Sequence, residues 1–364
     1  MGFTSEQLAY AGNAAINYYL KNDPVDQYNV ARPLIKWLSE RKRDYVGALQ
    51  YIVEQLRYNN DSNFQSYFGD TQVTYNRRRT LNQAKFVWGS FHDGFGLNED
   101  ELTQNGIVVT DDRSSTPTDS EKIQLTNLLK ENMEVLKLGW QEKFDIMVHL
   151  NGTQSATNIP GLDNLVSTTP LTSSVVGGLD QSVYTWWQNS ANMAINVGTA
   201  GNLTQQMEIL WRDCIRFGGA APDFILVGES FLDAYRADSK STINRTVFVE
   251  KKMEGGVQFD GSVGTGTRTG LYFKGVELIW DPVLSVLDGL YPSTTYPFQS
   301  RCYFLNSRFL SLRPITGHWM VARKPARVYD RYTHYWGLTA KASFTVSKRN
   351  ALAVLSANVS DVWT

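Results

Sequence analysis

The chain has 364 residues, of which 42% are hydrophobic and 20% charged, a composition that suits a packed globular protein and excludes disorder as its main character. Lys and Arg number 35 and Asp and Glu 36, and the net charge of -1 excludes an overall field that would gather nucleic acid. The sequence lacks an apolar stretch of the ~18 residues that span a membrane, and its first residues lack a secretory pattern. We therefore expect a soluble, non-secreted protein of about two domains.

The first hundred residues carry weak core patterns. A capping box and helical spacing predict a short helix over residues 4–21, and a second helix is predicted from Tyr45 to Leu56. The polar, aromatic-rich stretch that follows continues into β-branched and long side chains from Thr71 to Lys85. This pattern predicts an extended excursion with little core of its own, and it contains three consecutive arginines, Arg77, Arg78 and Arg79.

The clearest local pattern runs from Ser120 to Leu150. Large apolar residues recur there at steps of three or four, so one apolar stripe follows one helix roughly 45 Å long. Asn151-Gly152 supplies the stop signal. The stripe consists of Leu125, Leu129, Met133, Leu136, Trp140, Phe144 and Met147.

Beyond Gly152 the composition changes to Thr, Ser, Gly and Pro, which predicts a domain boundary. Helical spacing returns from Leu203 to Phe217, and the apolar run Phe224 to Val227 is typical of a fully buried strand. A further helix is predicted from Ser230 to Arg236. Strands are predicted at Val276 to Trp280, Cys302 to Leu312 and Leu338 to Val346, so the fold class is α+β.

Patterns that carry chemistry are absent from the sequence. Its histidines, which lack metal-binding spacing, are expected to be surface or satisfied structural residues: His92, His149, His318 and His334. The glycine-rich run Gly255 to Gly270 has Thr267 where a phosphate-binding loop needs lysine. Cys214 and Cys302 are expected to be buried free thiols. We expect neither an enzyme nor a protein with a cofactor or a metal ion.

Along the chain, the sequence predicts an N-terminal arm, an extended segment with little hydrophobic core, one long helix, a mixed domain and a final strand. Several short sequence phrases follow one another along the chain. They are Gly161-Leu162-Asp163, Val176-Gly177-Gly178-Leu179-Asp180, Tyr184-Thr185-Trp186-Trp187-Gln188-Asn189, Pro222-Asp223-Phe224-Ile225-Leu226, Phe273-Lys274-Gly275-Val276-Glu277-Leu278, Asp281-Pro282 and Tyr303-Phe304-Leu305-Asn306. In this ordered set the chain resembles the major capsid protein of tailed double-stranded DNA bacteriophages, whose fold is named after phage Hong Kong 97. The resemblance is strongest from Ser120 onward.

This resemblance implies a Hong Kong 97-type fold with five parts. They are an N-terminal arm (1–32), a region containing the extended E-loop (33–96), a peripheral P-domain (97–152) with the spine helix 120–150, an axial A-domain (153–317), and C-terminal strands that return to the P-domain (318–364). The P-domain sheet would be completed by strands near Ile107 to Asp111 and near Val321 to Val346.

The implied function is self-assembly through pentamers and hexamers into an icosahedral shell, first in the host cytoplasm and finally as the capsid of a virion. Implied partners are a scaffolding protein, a portal protein, in some relatives a decoration protein, and packaged double-stranded DNA held by non-specific contact, with no membrane. The three arginines would lie on the E-loop and meet acidic groups of an adjoining subunit. The alternative is that they form a solvated patch.

Three alternatives stay open at this point. A cellular encapsulin shell would share the fold but enclose cargo enzymes instead of DNA. A carbohydrate-active enzyme would suit the Trp and Tyr content but needs convergent acids or a metal. A tail or adhesion protein of the virion should show β-repeats, which the helix from Ser120 to Leu150 disfavours.

Overall fold

A computed structural model describes residues 30–47, 50–104, 119–199, 201–217, 221–242, 268–292, 295–323 and 333–358. The predicted helix over 4–21, the predicted strand near Ile107 to Asp111 and most of the glycine-rich run from Gly255 lie outside these residues. The chain divides into two compact units. The smaller unit takes in Ser90–Phe144 and Thr316–Lys341, and the larger takes in Val30–Gly89, Asp145–Ile315 and the C-terminal residues from Ala342.

The described helices are α1 (Pro33–Glu40), α2 (Glu99–Gln104), α3 (Asp119–His149), α4 (Leu162–Leu165), α5 (Asn202–Arg216), α6 (Glu229–Thr242) and α7 (Val283–Leu290). The described strands are β1 (Tyr51–Arg57), β2 (Leu81–Val87), β3 (Gly89–Asn98), β4 (Val175–Val176), β5 (Leu179–Asp180), β6 (Ser190–Asn196), β7 (Phe224–Val227), β8 (Arg268–Phe273), β9 (Val276–Trp280), β10 (Arg301–Leu305), β11 (Leu310–Pro314), β12 (Val321–Arg323), β13 (Thr333–Val346) and β14 (Ala353–Asn358).

The larger unit is built on a six-stranded mixed sheet with the order β6-β14-β10-β7-β9-β8. Strand β7 lies inside this sheet, antiparallel to β10 and parallel to β9, and all four of its residues are buried. On one face, Trp211 of α5 packs edge-on against Phe273 and Phe304. On the other face, Trp37 of α1 stacks on Phe224. Because both faces are covered, the strand is apolar throughout.

In the smaller unit, β13 pairs with β3 and runs antiparallel to β12. Helix α3 contributes Trp140 and Phe144, whose rings stack with centroids 4.7 Å apart. Trp319 meets both rings edge-on, and Phe91 of β3 meets Phe144 in the same way. Such offset and edge-to-face pairs are the favourable arrangements of aromatic rings, so this cluster fixes the helix on the sheet.

Most of the predicted elements are confirmed. Helix α3 spans Asp119–His149, one residue from each predicted end, and α5, β7 and β9 lie where periodicity predicted them. Helix α6 continues six residues beyond the predicted Arg236, to Thr242. Strand β13 starts earlier than the predicted Leu338, at Thr333.

Two predictions need correction, and one helix was missed. The predicted helix from Tyr45 to Leu56 is wrong, because Tyr51–Arg57 is strand β1, paired antiparallel with β2. Helix α1, which starts at Pro33, was not predicted. The predicted strand from Cys302 to Leu312 is two strands in different sheets, because the chain turns between Leu305 and Leu310, where Asn306 O accepts the N–H groups of Phe309 and Leu310.

The C-terminal segment also differs from its expected course. Residues 318–364 were expected to form C-terminal strands that return to the P-domain. In the structure β13 lies in the four-stranded sheet, while β14 lies between β6 and β10 in the six-stranded sheet. Residues Ala353 to Ser356 are all at most 2% exposed, and an apolar strand of this kind is stable only inside a sheet with both faces covered.

Candidate inter-subunit surface

Strands β1 and β2 form a two-stranded ribbon, with a register that runs from Tyr51 opposite Val87 to Arg57 opposite Leu81. One face of the ribbon is buried in the larger unit through Ile52, Leu56, Ala84 and Phe86. Between the two strands, residues 58–80, here called the tip loop, form neither helix nor strand. A two-stranded ribbon is marginal by itself, so the buried face is what holds its root in place.

The root of the ribbon is fixed by three contacts within the larger unit. Lys85 N–H donates to the carbonyl oxygen of Gly177 at 2.8 Å, and the ring of Tyr58 stacks on Trp186 with centroids 5.4 Å apart. Arg313 Nη2 lies 2.6 Å from Glu54 Oε1; burial raises the pKa of Glu54, and the charge of Arg313 opposes that rise. The ribbon therefore leaves the body of the protein from a defined position.

Glycine is required at position 177. Its φ is +61°, in the left-handed region, and a Cβ there would lie 3.0 Å from Ala84 Cβ and 3.1 Å from the ring of Phe86. The Val176-Gly177-Gly178-Leu179-Asp180 phrase thus has a structural reason. It forms the β4–β5 hairpin on which the ribbon rests.

The tip loop is closed by side-chain hydrogen bonds instead of a strand ladder. Asn63 Nδ2 donates to the carbonyl oxygen of Thr74, and the backbone N–H of Arg79 donates to Asp61 Oδ2 at 2.9 Å. At the far end, Thr71 N–H donates to Phe68 O, and Gly69 between them has φ +55°. These bonds give the loop a defined turn although it has no core.

Large aromatic side chains project from the tip loop into solvent. Phe64 is 92% exposed, Phe68 92% and Tyr75 93%, and Tyr67 is 71% exposed. Clustered exposed aromatic residues mark interaction surfaces on soluble proteins, and Tyr and Phe are enriched at the cores of interfaces. The tip loop is therefore the candidate inter-subunit surface.

The three predicted arginines lie on this loop. Arg77, Arg78 and Arg79 are exposed, and among the described residues no carboxylate pairs with their guanidinium groups.

The predicted apolar stripe of α3 is not part of the tip loop. Leu136, Trp140 and Phe144 are buried and Met133 and Met147 half-buried, while the side chains of Leu125 and Leu129 fall outside the described part of the chain.

The larger unit also contains a buried ionic cluster that the sequence did not reveal. His149, at the end of α3, is 1% exposed; its Nδ1 lies 2.8 Å from Asp145 O and its Nε2 2.9 Å from Asp281 Oδ2. Both partners are acceptors, so the ring satisfies both only when both nitrogens carry protons. Arg32 Nη1 lies 3.7 Å from Asp145 Oδ2 and brings a second positive charge.

The titration of this cluster follows from its charges. Burial opposes a charge on His149, but the carboxylates of Asp145 and Asp281 outweigh it and raise the pKa of His149 to about 9. Burial raises the pKa of Asp145 to about 7, with the positive charge of His149 acting against the rise. The cluster holds two groups that can be positive, His149 and Arg32, and two that can be negative, Asp145 and Asp281, so their charges balance when all four are ionised.

A second buried cation, Arg349, was also missed. It is 1% exposed and donates to Leu165 O, Trp187 O, Gln181 Oε1 and Asn189 Oδ1 at 2.8 to 3.0 Å, a set here called the Arg349 network. All four acceptors are neutral, and burial lowers the pKa of Arg349 to about 9. The network ties the segment 165–189, on which the ribbon rests, to the turn before β14.

Other chemistry is not found in the described part of the chain. Groups of His, Cys, Asp and Glu that could hold a metal ion are absent there, and none of the described helices is long and apolar enough to span a membrane. Cys214 and Cys302 are free and buried, as predicted, and burial raises the pKa of both thiols. His149 is a satisfied structural histidine, and His92 and His318 are exposed.

The sequence matches no family model and no curated protein. Solved structures are nevertheless similar over almost the whole chain. The cyanophage A-1(L) capsid asymmetric unit is 13% identical with a TM-score of 0.57, covering 94% of this chain and 98% of that one. Structures of Mycobacterium phages Ogopogo and Bobi are each 10% identical with TM-scores of 0.50, covering 94% and 98% of this chain and 98% and 99% of theirs.

The chain thus has the α+β fold of phage capsid shell proteins. It is the Hong Kong 97-type fold that the ordered sequence phrases predicted.

Proposed function

We propose that this protein is the major capsid protein of a tailed double-stranded DNA bacteriophage and that it assembles through pentamers and hexamers into an icosahedral shell. The observation that carries the proposal is the capsid fold. The structural match covers 94% of this chain and 98% of the cyanophage chain. The exposed aromatic tip loop supports it. An apolar surface of this kind is stabilised only when another molecule covers it.

In this proposal the ribbon and tip loop form the E-loop, within the region 33–96, and extend over a neighbouring subunit. Helix α3 is the spine helix of the P-domain (97–152), and the six-stranded sheet is the centre of the A-domain (153–317). The N-terminal arm (1–32) and the C-terminal strands (318–364) complete the division, with β14 contributing to the A-domain sheet.

The proposed partners follow from the role. Other copies of the chain are the main partner, a scaffolding protein and a portal protein act during assembly in the host cytoplasm, and a decoration protein is an optional addition to the finished virion. Packaged DNA contacts the inner face without sequence specificity. The net charge of -1 suits this arrangement, because hundreds of neighbouring copies would repel each other if each carried a large charge.

A shell role involves no catalysis, and we propose that the protein is not an enzyme. The alternative with the same fold is an encapsulin-like shell. Co-expression with neighbouring genes separates the two, since an encapsulin encloses a cargo enzyme and a phage shell incorporates a portal.

Replacing Phe64, Phe68 and Tyr75 together by serine should abolish most shell assembly and leave the subunit folded. These rings are more than nine-tenths exposed and contribute little to the isolated subunit, but aromatic anchors dominate interface energies. The expected yield of particles, measured by sedimentation and negative-stain electron microscopy, is at least about tenfold lower than for the wild type.

The matched control replaces Leu171, Val183 and Leu290 by serine. They are 80%, 69% and 55% exposed and lie outside the tip loop. Unfolding midpoints of both triple variants should match the wild type. Equal particle yields from the two variants would contradict the role given to the tip loop.

A further inference from the structure

Cations from four segments of the chain meet at one end of the six-stranded sheet, at the turn between β10 and β11. Arg43 Nη2 donates to the carbonyl oxygen of Ser307 in this turn at 3.3 Å, and Lys348 Nζ donates to the carbonyl oxygen of Phe217, at the end of α5. All of these segments belong to the larger unit. The cations, here called the basic patch, are Arg43, Arg216, Arg308 and Lys348.

Two cations of the basic patch lie against the same aromatic ring. The guanidinium carbon of Arg308 is 5.7 Å from the ring centroid of Phe309, and Lys348 Nζ is 5.5 Å from it. Burial, together with the charge of Arg308, lowers the pKa of Lys348. Holding like charges near one another costs free energy in the isolated subunit, and an anion bound beside them would offset that cost.

The carboxylates around the turn do not pair with the basic patch. In the part of the chain that the structure describes, none of the four patch cations forms an ion pair. Asp223 accepts two hydrogen bonds from the turn, and Glu54, whose charge acts on Arg43, lies 2.6 Å from Arg313. Asp44 follows Arg43 in the chain and is exposed. The guanidinium groups of the patch therefore keep their N–H donors for an anion outside the subunit.

The chemistry of the basic patch suits a phosphate backbone. Because the whole chain has a net charge of -1, attraction to a polyanion has to come from a local group of cations. Guanidinium groups bind phosphate oxygens through paired N–H donors, and the three arginines of the patch are exposed. A DNA duplex carries one negative charge per ~1.7 Å of its axis, so neighbouring cations can each meet a phosphate without a shaped pocket.

We propose that the basic patch binds the phosphate backbone of double-stranded DNA without reading its sequence and that it is a contact of the packaged genome with the shell. This inference rests on the proposed function and adds to it the residues that hold the DNA. An acidic protein segment is the competing occupant, and its binding is an outcome of the test.

Binding of a fluorescein-labelled duplex of about 30 base pairs to unassembled subunits, followed by anisotropy at several salt concentrations, tests the patch. The variant Arg43→Gln, Arg216→Gln, Arg308→Gln should bind at least about tenfold more weakly than the wild type. The slope of log affinity against log salt concentration should fall by about 2 to 3, since about 0.9 is lost with each phosphate contact. Lys348 is kept in this variant because its ammonium group also bonds the end of α5.

The matched control Arg57→Gln, Arg212→Gln, Arg236→Gln removes three exposed arginines outside the patch, two of which have a carboxylate within 4.0 and 3.4 Å. It changes the net charge equally and should weaken binding by less than about threefold. Equal losses in the two triple variants would overturn the inference, because affinity would then follow net charge alone. Unfolding midpoints of both should match the wild type.

A single variant covers the case in which the triple patch variant fails to fold. Arg308→Gln changes one exposed side chain and should lower the salt slope by about 0.9, the share of one phosphate contact. An unchanged slope in this folded variant would count against the patch.

Competition with poly-glutamate at equal charge concentration separates DNA from an acidic protein segment. The duplex should be the better competitor. Tighter binding of poly-glutamate that depends on the same three arginines would overturn the assignment to DNA.

Labelling of assembled particles with an amine-reactive reagent tests the contact with the genome. Lys348 should be modified at least about twofold more slowly in DNA-filled particles than in empty ones, and the exposed Lys85 of the ribbon should be modified equally in both. Equal modification of Lys348 would overturn the genome contact. Failure of the wild type to form particles would instead count against the proposed function, because duplex binding is measured on the unassembled subunit.

Discussion

Replacing Arg349 by methionine should destabilise the unassembled subunit by about 3 to 5 kcal/mol. The side chain is buried and donates to two backbone carbonyls and two amide oxygens in the Arg349 network. Methionine fills much of the volume but leaves these acceptors buried without donors, and each orphaned group costs about 1–3 kcal/mol. Urea unfolding followed by tryptophan fluorescence measures the loss.

Two further variants separate the geometry from the charge. Arg349→Lys keeps the positive charge but cannot reach all four acceptors around the edge of the guanidinium group, so it should lose most of the same stability. The control Arg308→Met, at an exposed position, should change stability by less than about 0.5 kcal/mol. A methionine variant as stable as the Arg308→Met control would show that the network contributes nothing.

Loss of the Arg349 network should also change the position of the ribbon. Trp187 and Gln181 belong to the segment that carries Gly177 and Trp186, on which the ribbon rests. If the Arg349→Lys subunit still folds, we therefore expect it to assemble less well than other variants of equal stability, because its tip loop is displaced.

Replacing His149 by alanine should have a comparably large effect, with a characteristic pH dependence. The substitution leaves Asp145 and Asp281 buried without the cation that separates them, at an expected loss of about 3 to 5 kcal/mol near pH 6.5. His149→Gln, which can still donate to Asp281, should recover part of this loss but none of the charge compensation.

The sign of the pH dependence follows from the raised pKa. His149 has a pKa of about 9 in the folded protein and about 6.5 in the unfolded chain, so its contribution is complete below pH 6.5 and is lost as the pH rises through 9. The wild type should therefore lose about 3 kcal/mol of stability through His149 between pH 6.5 and 9. The loss is measured on the wild type itself, because removing His149 also raises the pKa of Asp145 and gives the alanine variant a pH dependence of its own. The His318→Gln control, which keeps the cluster, should show the same fall, and a wild-type stability that stays constant between pH 6.5 and 9 would contradict the charged cluster.

Local periodicity predicted the elements whose burial is decided within one segment. The stripe that includes Leu136, Trp140 and Phe144 predicted α3, and the continuous run at Phe224 predicted β7, because a single helix face or a fully covered strand leaves a pattern in adjacent residues. Prediction failed at β1. Ile52 and Leu56 are four residues apart and fit both one helix face and one strand face, and the choice was made by pairing with β2, which is remote in sequence.

The site could be predicted in part. The excursion with little core and its three arginines were visible in composition, and the structure places both on the tip loop. The buried clusters were not predicted, because their members are remote from one another in sequence. Arg349 binds acceptors 160 to 184 positions away, and only the Asp145–His149 spacing of four was visible on the helix.

Electron microscopy of the purified recombinant protein, alone and co-expressed with its genomic neighbours, tests the shell function most directly. Closed icosahedral particles, or rings of five and six subunits after size-exclusion chromatography, are the expected result. A product that stays strictly monomeric under both conditions, with native unfolding behaviour, would contradict the account.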